Sequence, residues 1–86
     1  MRTTNRERFV RHFANFIVER LNAGALTVAD CTIPEVSKAL ESPLAEQLRL
    51  SCQYHTEDVL PYPGKRHALA KSIAGAIANH PNRIKS

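Results

Sequence analysis

The chain has 86 residues, with 12 Lys and Arg against 8 Asp and Glu, a net charge of +4 and 43% hydrophobic residues. That length leaves room for a single domain over residues 1–86, and the apolar-to-charged balance is that of a chain that folds, unlike that of a disordered one. No apolar run approaches the ~18 residues of a membrane span, the start Met1-Arg2-Thr3-Thr4-Asn5 leads into charge instead of a signal core, and Cys31 and Cys52 are too few for a secreted disulfide framework; the expectation is a cytoplasmic protein with reduced thiols and no membrane association.

Thr4-Asn5-Arg6-Glu7 has the form of a capping box and opens the first predicted helix. Phe9, Val10, Phe13, Ile17 and Leu21 recur at three- and four-residue steps, and Asn22-Ala23-Gly24 supplies a left-handed exit, which predicts a helix over 5–22. Residues 25–32 fit no template and read as loop. Thr32-Ile33-Pro34-Glu35 repeats the capping-box form, with proline in the first turn, and predicts a helix over 33–41 with Ile33, Val36 and Leu40 on one face. Ser42-Pro43 starts a third helix over 43–54, with Leu44, Leu48 and Cys52 as its apolar side.

Pro61, Pro63 and Gly64 then interrupt the pattern and mark a hinge at 55–64. A fourth helix is predicted over 65–79, with Leu69, Ile73, Ala76 and Ile77 on one side and a surface otherwise rich in alanine and glycine. The basic tail, 82–86, is expected to fray. Four short amphipathic helices with brief connections predict an all-α fold, a compact bundle.

Charge is distributed unevenly along the chain. Residues 1–21 carry five basic groups (Arg2, Arg6, Arg8, Arg11, Arg20) and two acidic ones, and residues 62–86 carry five basic groups and no acidic one. Between them, only Lys38 and Arg49 oppose Asp30, Glu35, Glu41, Glu46, Glu57 and Asp58. Arginines in the first turn of a helix oppose its dipole, so something other than helix stability favours them there. If the bundle unites its two ends, Arg2, Arg6, Arg8, Arg11, Lys65, Arg66 and Lys71 form one positive surface able to neutralise phosphates or an acidic protein patch. The plain alternative is a solvated face that serves solubility.

Other constellations are weaker. The 33–51 segment invites a helix-turn-helix reading, but Glu41 stands where the turn prefers glycine, Ser42 and Gln47 stand at packing positions, and the would-be recognition helix offers Glu46 and only Arg49 as a base. Gly64-Lys65-Arg66 at a helix start has anion-binding character without the spacing of a P-loop. Cys31, Cys52, His55 and His67 contain zinc-binding atoms at spacings that match no familiar site, and Cys52, His55 and Asp58 are near in sequence only. No metal, cofactor or catalytic residue is therefore expected. Phe16, about 60° from the Phe9 and Phe13 stripe, is expected as an exposed anchor, and Tyr54 and Tyr62 beside the hinge are further protein-contact candidates.

The function these residues predict is a non-enzymatic binding or regulatory protein whose basic terminal helices engage an anionic partner, nucleic acid first. In size and compactness the chain is similar to small proteins of phages and mobile elements, which implies, as an alternative, an inhibitor or adaptor of a host protein complex. A homo-oligomer is compatible with so small a core, and a helix-turn-helix regulator is the third reading.

Overall fold

A computed structural model describes residues 4–82. Within them the chain forms α1 (Asn5–Asn22), a 3-10 turn (Val28–Cys31), α2 (Ile33–Ala39), α3 (Pro43–Ser51) and α4 (Pro63–Ala78). Among the described residues there is no strand, so the fold is an all-α bundle. Arg2 and the tail beyond Asn82 lie outside the described residues.

Local chemistry accounts for the start and stop of α1. Thr4, in extended geometry, accepts the Glu7 amide through its hydroxyl at 3.1 Å, which satisfies one of the open donors of the first turn. At the other end Gly24 adopts φ +80°, the Gly24 amide bonds Leu21 and the Ala25 amide bonds Arg20. This is a Schellman closure with glycine in the left-handed position.

The segment read as loop contains a short 3-10 turn. The Asp30 carboxylate accepts from both the backbone N–H of Thr27 at 2.9 Å and the Thr27 hydroxyl at 3.1 Å. The capping box predicted at Thr32 and Glu35 does not form, since the Thr32 side chain makes no cap bond; proline inside the first turn already removes one of the donors that a cap would satisfy. Ser42 caps α3 as expected, accepting the Ala45 amide at 3.3 Å.

Both middle helices end earlier than the apolar periodicity suggests. In α3 the closing residue, Gln53, takes φ +55°, and the Gln53 and Tyr54 amides return to Leu50 and Arg49. That is a second Schellman closure, made without glycine. Pro63 and Gly64, read as part of the hinge, instead form the first turn of α4, with Pro63 at the position where its missing donor costs nothing.

The core sits where α1 and α2 both pack on α4. Phe9, Phe13, Val18, Val36, Leu40, Leu69, Ala70, Ile73 and Ile77 are buried there. Phe9 anchors two ring contacts, with centroids 5.6 Å from Phe13 and 5.5 Å from Tyr54, within the range of favourable tilted aromatic pairs. On α3 the buried residue is Ala45, and Leu44, expected inside, is exposed. Removal of a core phenylalanine would cost about 3–5 kcal/mol, a large share of the stability of so small a domain.

Candidate anion-binding face

Three hydrogen bonds define how α1 and α4 lie together. Arg6 Nη2 donates to Ser72 Oγ at 3.1 Å, His80 Nε2 meets Asn15 Oδ1, and Asn22 Nδ2 donates to the Asn82 carbonyl at 2.7 Å. Partners advance together along both segments, so α1 and α4 run in the same direction, and α1 begins beside the middle of α4. No acidic helix stands between the two terminal segments, because α1 packs directly on α4.

The predicted basic residues are treated differently by the fold. Arg8 and Arg11 are exposed on α1 and, being three residues apart, lie within about 60° of each other around the helix. Arg6 is brought to α4 by Ser72, the chain neighbour of exposed Lys71. Lys65 is exposed and holds Nζ 5.1 Å from the Tyr62 ring centroid. Arg66 departs from the expected grouping, since its guanidinium turns to the Glu41 carboxylate in the α2–α3 connection. It is the one ion pair among the described residues, and it offsets the Arg66 charge locally.

A groove of about 530 Å³ runs along the α1–α4 seam. Val10, Ala14 and Ala76 give it an apolar floor, while Arg6, Arg11 and Asn15 stand on the α1 side and His80 to Asn82 close the other. Among the described residues Glu7 is the only carboxylate that lines it. Of the cations that the sequence groups on one surface, Arg6 and Arg11 line this groove, Arg8, Lys65, Arg66 and Lys71 are not among its lining residues, and the sequence did not single out Asn15, Ser72, His80 and Asn82. Their partners are 60 or more residues away, and no local pattern marks them.

The protein-contact candidates divide as well. Tyr62 is 55% exposed. Phe16, expected as an exposed anchor, is half-buried against the core, with the Arg20 guanidinium 4.5 Å above its ring; the flanking cation covers what the helical angle leaves open. Tyr54 is half-buried because it stacks on Phe9.

The helix-turn-helix candidate presents Glu46, Gln47, Leu50 and Ser51 to solvent on α3, whereas Arg49 is turned inward and donates to the Leu40 carbonyl at the end of α2. Cys52 is buried at the end of α3 while His55 is exposed. Among the described residues no three His, Cys, Asp or Glu side chains gather as metal ligands, and no helix is long and apolar enough to cross a membrane.

The class that fold and face define is a small all-α protein with a cationic seam between two parallel helices. Against family models, curated proteins and solved structures the chain finds no match.

Proposed function

We propose that this is a non-enzymatic nucleic-acid-binding protein that engages phosphates through the α1–α4 face, with Arg6, Arg8, Arg11, Lys65 and Lys71 as the contacting cations. The observation that carries the reading is the Arg6–Ser72 hydrogen bond, which joins the two basic segments of the chain across one seam. Like charges held together repel, and that repulsion becomes useful when a polyanion replaces the counterions around them. The inward turn of Arg49 and the acidic, apolar outer side of α3 favour this face over the α2–α3 unit.

Titration of labelled duplex and single strands at several salt concentrations tests the proposal. Each phosphate contact contributes about 0.9 to the slope of log K against log salt on duplex DNA, so five cations set a limit of about −4.5. Measurable binding at low salt with a slope between about −2 and −4.5 supports the face as assigned. Absence of binding at low salt to either form of nucleic acid removes it.

A second reading rests on different residues. Tyr62 and Leu50 are 55% and 66% exposed, and exposed large side chains of these types suit a protein-directed inhibitor or adaptor. Affinity purification with nuclease treatment separates the two, since a stoichiometric protein partner that survives nuclease favours the second.

A further inference from the structure

A second groove, of about 520 Å³, lies away from the α1–α4 seam, where α1, the 3-10 turn, α2 and the start of α3 converge. Its apolar lining is Phe16 and Ile17 of α1, Leu26 ahead of the turn, Ala39 of α2 and Leu44 of α3. Leu44 is 36% exposed, and Val28, in the turn that follows Leu26, is 62% exposed. The fold thus leaves apolar surface open here, and a chain with so small a core gains stability by covering it. Phe16 follows Arg11 by five residues, which sets it about 140° away around α1. The two grooves therefore occupy different sides of that helix, and what fills this one does not depend on whether the seam binds nucleic acid.

The charges around the groove select its occupant. Arg20 and Lys38 stand on the rim with Asp30 and Glu35, two charges of each sign. None of the four is ion-paired within the protomer, since Arg66–Glu41 is the one such pair among the described residues. Arg20 is held at the lip by the Phe16 ring, whose centroid lies 4.5 Å from the guanidinium carbon. The Asp30 carboxylate takes both Thr27 bonds through Oδ2 and keeps Oδ1 for another donor. Glu35 and Lys38 are three residues apart on α2, a spacing at which an ion pair can close, yet they form none. A rim of this composition has no net charge, so neither a polyanion nor a polycation complements it. A second copy does: about a two-fold axis each protomer brings its partner the same two cations and two carboxylates, and every contact occurs twice.

We infer that this groove is the contact surface of a symmetric homodimer. The exposed Leu44 of each protomer packs on the Phe16, Ile17 and Leu26 floor of its partner, and the rim charges pair across the axis.

Sedimentation equilibrium on the intact, nuclease-treated protein is the test. Up to about 0.5 mM, well above a micromolar dissociation constant, the wild type should reach twice the monomer mass. Leu44→Glu puts a carboxylate into the contact at a position open to solvent in the protomer. It should raise the dissociation constant at least about tenfold with the far-UV circular dichroism spectrum unchanged. Lys38→Glu leaves the rim one cation against three carboxylates and Glu35→Lys the reverse, so each alone should be monomeric and an equimolar mixture should recover the doubled mass. Repair of charge between two different variants requires that this rim faces itself. A wild type that stays monomeric throughout overturns the inference and leaves the groove to a different protein. So does a dimer that Leu44→Glu leaves intact, or one that is lost in Arg11→Glu instead, since that places the contact at the seam. A mixture of the two charge variants that remains monomeric also overturns it.

Discussion

Arg6 on α1 and Ser72 on α4, 66 residues apart in sequence, meet through a 3.1 Å hydrogen bond from guanidinium to hydroxyl. The hydroxyl in turn donates to the Ala68 carbonyl one turn earlier on α4. The arginine is thus held against a serine whose own proton is already committed, which orients the lone pairs toward Arg6. Lys71, adjacent to Ser72 in the chain, points to solvent, and the cations that line the groove are Arg6 and Arg11 of α1.

Arg8→Glu with Arg11→Glu should weaken binding to duplex DNA at least about tenfold and reduce the salt slope by about 2, one per lost phosphate contact. Arg66→Ala provides the contrast. Its ion pair is partly exposed, with side chains 28% and 62% accessible for Arg66 and Glu41, so the stability loss should be under about 1 kcal/mol, with affinity unchanged within about twofold. Fluorescence anisotropy for binding and urea denaturation for stability measure both, and an Arg66→Ala defect as large as that of the double variant contradicts the assigned face.

The two Schellman closures predict opposite responses to glycine. Gln53 holds φ +55° without being glycine, a region unfavourable for residues with a Cβ, and Gln53→Gly should raise stability by about 0.5–1 kcal/mol after the larger unfolded-state entropy of glycine is subtracted. Gly24→Ala should lower it by about 1 kcal/mol. No atom lies within 4 Å of a Cβ placed on Gly24, so that loss is a pure backbone effect. Chemical denaturation of the two variants beside the wild type gives both signs.

Gly75 lies inside α4, exposed, with nothing within 4 Å of an added Cβ. Gly75→Ala should therefore stabilise the protein by up to about 1 kcal/mol, the helix-propensity difference. A thermal melt that shows no rise, or a fall, would mean that the outer side of α4 is constrained in a way the monomer does not explain.

Arg49 donates to the Leu40 carbonyl, one of the acceptors left open at the end of α2. Arg49→Met keeps much of the apolar stem and removes the donor, and should cost about 1–2 kcal/mol, measured by urea denaturation. An unchanged midpoint would show that solvent satisfies that carbonyl equally well.

The sequence by itself determined what is local. Thr4, Ser42, Gly24 and the proline-led starts of α2 and α3 act within one turn of the residues they serve, so caps and breaks could be read from spacing of three or four residues. The apolar stripes of α1 and α4 were legible for the same reason, and Phe9, Phe13, Ile17, Leu69, Ile73 and Ile77 are all buried. Where reading failed, a competing contact decided. Ala45 displaced Leu44 from the core, Arg20 covered Phe16, and Glu41 drew Arg66 away from the other cations. The candidate site depended most on the tertiary structure: the sequence named Arg6 and Arg11 by charge, but that Arg6 reaches Ser72, Asn15 reaches His80 and Asn22 reaches Asn82 followed only from α1 and α4 packing side by side in one direction. Side-chain hydrogen bonds are short-ranged and directional, so bonds across 60 or more residues leave no periodic trace in the chain and arise only once the core has fixed the helices.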